Sequence, residues 1–127
     1  MIKVTIYNEF VHEKTEPAVK AIYPEGIHNR LKEKLEDSDI TVRTVTLDTV
    51  NDITDELLAD TDVMIWWGHM CHGDVPDEVA ARVQNAVLSG MGMIFLHSAH
   101  HSKPFKLLMG TPCSLGWRED GDYEYVW

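Results

Sequence analysis

The chain has 127 residues, and 21 Asp and Glu against 11 Lys and Arg give a formal net charge of −10 with histidine neutral. This acidic excess argues against a nucleic-acid or anionic-membrane surface, because phosphate binding needs clustered Lys and Arg. No apolar run approaches the ~20 residues of a membrane span, the N-terminus lacks a signal-peptide layout, and two cysteines are too few for a disulfide framework. We therefore expect a cytoplasmic protein with a single domain over residues 1–127.

Four segments have the patterns of β-strands. Residues 3–7 are rich in β-branched side chains, and residues 41–47 alternate in the manner of a strand near a sheet edge. Residues 63–67 and 91–96 are apolar on both faces, which is typical of strands buried between two helical layers.

Helical patterns lie between these strands. The sequence predicts helices over residues 24–36, after a Thr54 cap, from Pro76 to a C-terminal cap at Gly90, and over residues 102–109. Alternating strands and helices predict an α/β fold with a doubly wound, mainly parallel sheet and helices on both faces. Because crossovers are right-handed, a flavodoxin-like strand order beginning 2-1-3-4 is favoured.

Seven histidines are about twice the usual share, and five of them follow the two apolar strands. His69 and His72 follow residues 63–67, whereas His97, His100 and His101 follow residues 91–96. The working residues of such sheets lie past the carboxyl ends of the strands, so both clusters are expected at one edge. Asn8 and Glu9 end the first strand at that edge, and His28 is expected near it on the inward face of the first helix.

Imidazole is the commonest metal ligand and also the side chain that titrates near neutral pH. The clusters therefore fit either a metal site, for which Cys71, Glu9 and Asp74 offer further ligands, or metal-free acid/base catalysis. Neither His-Glu-x-x-His nor Cys-x-x-Cys occurs. Ser98 falls at the turn after the fourth strand, where a nucleophile elbow would lie, but the flanking glycines are missing.

At these same residues the chain resembles the ThuA (trehalose utilisation) family. The resemblance runs through five blocks, which are Ile6 to Glu13, Ile22 to His28, Ile65 to Gly73, Leu96 to Lys103, and Leu108 to Glu119. It implies a class I glutamine amidotransferase-like fold. The amidotransferase cysteine would belong at the turn that holds His97 and Ser98, so glutamine hydrolysis is not expected.

The resemblance also implies use of trehalose and related disaccharides through an oxidised keto-sugar. We expect metal-assisted isomerisation, or a related proton transfer, on a ketoglycoside, with a divalent metal (zinc for preference) and no nucleotide. The candidate residues are His28, His69 and His97 as metal ligands, His97, Ser98, His100 and Glu9 as catalytic groups, and Trp67, His72 and Asn8 as substrate-binding groups.

Members of this family are usually longer, so the resemblance implies that the chain is the N-terminal portion and lacks the C-terminal half. Residues 123–127 are apolar and strand-like, which favours a homo-oligomer or pairing through that strand. Two other functions stay open. One is a non-catalytic carbohydrate-binding or oligomerisation module of the same fold, and the other is a metal-binding protein without turnover.

Overall fold

The computed structural model describes residues 1–116, 121 and 123. Its four strands form one all-parallel sheet in the order β2-β1-β3-β4, as predicted. The strands are β1 (Ile2–Asn8), β2 (Ile40–Thr46), β3 (Val63–Trp67) and β4 (Gly92–Phe95). The predicted strand 123–127 lies outside the described residues except for Tyr123.

Helices connect the strands. The α-helices are α1 (His12–Thr15), α2 (Pro17–Ile22), α3 (Ile27–Leu35), α4 (Asp55–Ala59), α5 (Asp77–Leu88) and α6 (Lys103–Met109). Short 3₁₀ helices cover Leu47–Asp52, His72–Asp74 and His97–His101. The helices α1 and α2 were not predicted, because each is too short to show an apolar periodicity.

The sheet buries apolar side chains on both faces, which confirms the doubly wound α/β fold. On one face Tyr7 stacks on Trp66 with ring centroids 3.9 Å apart, and Val79 and Val83 of α5 pack into the same cluster. On the other face the cluster contains Val4, Ile6, Val42 and Ile65, with Leu31 and Leu35 of α3 packed against it.

Two details of the prediction were wrong. The fourth strand is not buried on both faces: β4 is the last strand of the described sheet, and Ile94 on it is 49% exposed. The helix predicted from residue 24 begins only at Ile27, because Gly26 has φ +89° and right-handed helical backbone cannot pass through it. No helix in the described part of the chain is long and apolar enough to cross a membrane.

Candidate functional site

The carboxyl ends of β1, β3 and β4 meet at one edge of the sheet. Parallel pairing sets Asn8 opposite Trp67 and Trp66 opposite Phe95. The chain then leaves β3 towards His69 and β4 towards His97. The two histidine clusters that the sequence predicted at one edge therefore do come together there.

Glu9 holds the loop that follows β3. Its carboxylate is 2% exposed and accepts hydrogen bonds from three successive backbone N–H groups, those of His69 (2.9 Å), Met70 (2.9 Å) and Cys71 (2.8 Å). Charge-assisted bonds of this kind are among the strong ones in proteins. Glu9, a predicted catalytic residue, thus fixes the backbone from which the exposed His69 side chain projects.

Gly68 leaves room for this arrangement. A Cβ added at Gly68 would lie 3.2 Å from Glu9 Oε2 and 3.3 Å from His72 Nδ1. The Glu9 carboxylate and the His72 ring therefore converge on the same small space above the glycine. A side chain there would force one of the two groups to move.

His97 occupies the sharp turn at the end of β4. Its φ is +42°, a left-handed backbone conformation that is uncommon outside glycine and that clusters at functional sites. The next side chain, Ser98, is buried and donates a hydrogen bond from Oγ to the carbonyl oxygen of Gly68 at 2.8 Å. Ser98 thereby joins the two loops; the exposed His69 directly follows Gly68, and the exposed His97 directly precedes Ser98.

A separate buried network lies where β1 meets α1 and α3. Asn8 Nδ2 donates to Glu13 Oε1 at 2.7 Å and to His28 Nδ1 at 2.9 Å, while Asn8 Oδ1 accepts the N–H of Phe10 at 2.9 Å. Glu13 Oε1 also accepts the N–H of Ile27 at the start of α3 (3.0 Å). Burial lowers the pKa of His28, although nearby Glu13 opposes that shift.

His72, His100 and His101 form a third group. The rings of His100 and His101 are 3.9 Å apart, those of His72 and His101 are 6.2 Å apart, and His100 Nδ1 lies 2.8 Å from the carbonyl oxygen of Cys113. Burial lowers the pKa of His72, and its Nε2 is enclosed with no hydrogen-bond partner among the described residues. Both observations favour the neutral form of His72.

His12 and Glu13 were not predicted from the sequence, His12 because a single histidine is by default a packing residue. The His12 ring lies 4.8 Å from the ring of His69 and 6.2 Å from that of Trp67. The half-buried Trp67, a predicted sugar contact, is therefore flanked by an imidazole. The block Ile6 to Glu13, through which the chain resembles the family, was the signal that included both residues.

Cys71 is placed among acidic groups. Burial raises the pKa of the Cys71 thiol, and Glu9 and Asp74 raise it further. The thiolate is the nucleophilic and metal-binding form, so this environment disfavours both uses near neutral pH.

The described side chains do not form the expected metal site. Within residues 1–116, 121 and 123, no three His, Cys, Asp or Glu side chains are grouped so that they could hold a metal ion. Of the three proposed ligands, His28 is buried with its Nδ1 bonded to Asn8, whereas His69 and His97 are exposed on the loops. The donor set of the described residues does not fit the metal.

Comparison with known proteins identifies the family. The model of the ThuA family, described as trehalose utilisation, matches residues 3–125, which is nearly the whole chain. No curated protein matches the chain. The chain belongs to the ThuA family, and membership suggests a role in trehalose utilisation.

Proposed function

We propose that this member of the ThuA family binds a keto-sugar of the trehalose class and transfers a proton at the carbon beside the carbonyl. The observation that carries this proposal is the pair of exposed imidazoles, His69 and His97, on two loops joined by the Ser98–Gly68 hydrogen bond. Imidazole exchanges protons near neutral pH, and positioned histidines are the commonest general acids and bases.

In the reaction the neutral imidazole of His97 takes the proton from the carbon beside the carbonyl. The C–H electron pair forms a C=C bond, and the carbonyl electron pair moves to oxygen, which gives an enediolate. Return of the proton to the original carbon regenerates the substrate, which is the exchange reaction. Transfer of the proton to the former carbonyl carbon, with loss of the proton from the neighbouring hydroxyl and gain of one by the former carbonyl oxygen, gives an isomer in which the carbonyl has moved by one carbon, and no oxidant or reductant is consumed. His69 is the candidate for carrying a proton between the sugar oxygens.

The structure around these imidazoles supports the assignment. Glu9 holds the His69 loop through three backbone bonds, and Ser98 holds the His97 turn. Catalytic groups held by such bonds lose little entropy when the substrate arrives. Trp67 beside His12 offers an aromatic face to the sugar ring.

The test is deuterium exchange at the carbon beside the carbonyl, followed by NMR on a 3-keto derivative of trehalose. His97→Asn is the informative variant, because Asn tolerates the positive φ of this position and removes only the imidazole. Loss of a general base lowers rates by about 100-fold or more, so we expect at least that loss of exchange. His101→Asn, an exposed histidine of the same 3₁₀ helix, is the control and should keep the exchange rate within about twofold of the unaltered chain.

Carbohydrate binding without turnover is the second candidate. The grouping of Trp67 with His12 and His69 favours it, because an aromatic face flanked by hydrogen-bonding rings can hold a sugar with no further chemistry. Calorimetric binding of the keto-sugar with no deuterium exchange would establish this second function and reject the first.

A further inference from the structure

The orientation of the Asn8 side chain is fixed by its surroundings. Its Oδ1 faces the Phe10 N–H, which can only donate, and its Nδ2 faces the Glu13 carboxylate, which accepts. The reversed amide would point its N–H₂ at an N–H and its oxygen at a carboxylate. The positions of the Asn8 oxygen and nitrogen are therefore fixed, and Nδ2 donates one proton to Glu13 and the other to His28.

This orientation determines the tautomer of His28. Because Asn8 Nδ2 donates to His28 Nδ1 at 2.9 Å, Nδ1 must present a lone pair and carry no proton. The proton of the neutral imidazole then sits on Nε2. A metal ligated through Nε2 needs a lone pair there, so the same bond excludes His28 from the usual metal-binding mode of a neutral imidazole.

The Nε2–H of His28 is available for another partner. No residue in the described part of the chain accepts a hydrogen bond from it, yet it is not among the enclosed polar atoms without partners, which are Glu13 Oε2 and His72 Nε2. The ring itself is held in place. Phe10 meets it edge-on with centroids 4.9 Å apart, and Gly26 passes so close that an added Cβ would lie 2.4 Å from Cε1.

We propose that His28 is a neutral electrophile, whose Nε2–H donates a hydrogen bond to the carbonyl oxygen of the keto-sugar. The inference rests on the proposed proton transfer and deepens it. As the proton leaves the neighbouring carbon, negative charge builds on that oxygen, and a fixed N–H donor stabilises it without giving up its own proton. This is the task that a Lewis-acidic metal was expected to perform.

The position of His28 suits this role. It is the second residue of α3, where the positive end of the helix dipole disfavours an imidazolium. A neutral histidine at a helix N-terminus has served as the electrophile in other enzymes that remove a proton beside a carbonyl. His28 is bonded to Asn8, and the adjacent Glu9 holds the His69 loop, so the His28 donor and the His69 loop are both anchored at the carboxyl end of β1.

The tautomer is tested without any substrate. Long-range ¹H–¹⁵N NMR separates a protonated ring nitrogen from a bare one by its chemical shift. We expect His28 to show a protonated Nε2 and a bare Nδ1 at pH 7.5. Asn8→Asp combined with Glu13→Gln reverses the hydrogen-bond polarity around Asn8 and should move the proton to Nδ1. A protonated Nδ1 in the unaltered chain would overturn the inference.

The electrophile is tested by deuterium exchange in two variants of the same residue. His28→Leu removes the donor, and we expect the exchange rate constant to fall by about 100-fold or more while the binding constant for the keto-sugar changes much less. His28→Gln keeps an N–H donor and should recover part of the rate. Exchange within about threefold of the unaltered chain in His28→Leu would overturn the inference and leave the role of His97 standing. No exchange in the unaltered chain would instead reject the proposed function and the electrophile with it.

Discussion

Glu9→Gln is the substitution that tests most directly how the site is built. The Glu9 carboxylate is buried, and three backbone N–H groups converge on its two oxygens. Glutamine has almost the same shape but places an N–H₂ group where one oxygen was. Whichever way the amide turns, at least one backbone N–H then faces another donor.

The size of the effect follows from these contacts. Oε2 accepts from His69 and Cys71, and the Met70 N–H is shared between Oε1 at 2.9 Å and Oε2 at 3.1 Å. The better amide orientation keeps an oxygen at the Oε2 position and sets an N–H₂ group against the Met70 N–H, which loses the shorter of its two bonds. Losing this charge-assisted bond and placing two donors against each other costs about 1.5–3 kcal/mol, or roughly 6–12 °C in melting temperature for a domain of this size.

Urea unfolding at pH 7.5 measures the loss, and hydrogen exchange of the amides of residues 69–71 locates it. Glu25→Gln is the matched control, because Glu25 is exposed and its side chain makes no hydrogen bond within the described residues, so its free energy of unfolding should change by less than about 0.5 kcal/mol. A Glu9→Gln chain as stable as this control, with unchanged exchange at 69–71, would refute the account of Glu9 as the support of the loop.

Three further predictions concern the other parts of the site. Burial lowers the pKa of His28 in the folded chain. As pH falls below the unfolded pKa of about 6.5, the unfolded chain therefore binds the proton first, and the free energy of unfolding should decrease. His28→Gln should reduce this dependence of the free energy of unfolding on pH, and an unchanged dependence would contradict the prediction. Gly26→Ala combines a positive φ with a Cβ 2.4 Å from His28 and should cost about 2 kcal/mol or more in urea unfolding, whereas Gly73→Ala, with nothing within 4 Å, should be nearly neutral. Elemental analysis after dialysis should find much less than one zinc ion per chain, because the described side chains form no group of three donors. One zinc ion per chain in the unaltered protein, lost in His69→Ala, would contradict this prediction.

Much of the fold was predictable because the strands carry strong local patterns. Val63–Trp67 is a short apolar run that favours a buried strand, and the helices alternating with the strands left few topologies to consider. A predicted helix boundary was wrong where a single residue sets it. The sequence pattern is helical from residue 24, but the positive φ of Gly26 delays the start of the helix to Ile27. The exposure of Ile94 depends on which strands flank β4, and that is a property of the whole sheet.

The site was predictable in its location and much less so in its contacts. The carboxyl ends of parallel strands share one edge of the sheet, so the positions of His69 and His97 just after two predicted strands were enough to place them in the site. The partners of Glu9 are backbone N–H groups sixty residues away, and no side-chain motif encodes them. The tautomer of His28 likewise depends on tertiary contacts. The Phe10 N–H orients the Asn8 amide, and that amide then determines which ring nitrogen of His28 carries the proton, so the sequence alone does not predict it.

The adjacent pair Asn8 and Glu9 has a consequence for how the chain finds its fold. Successive side chains of a strand point to opposite faces, so Asn8 reaches α3 while Glu9 reaches the loop after β3. A slip of one residue in the pairing of β1 would exchange the two faces and break every one of these polar contacts at once. Together the two side chains make misregistered sheets costly, and they should favour folding of the native alignment over its nearest competitors.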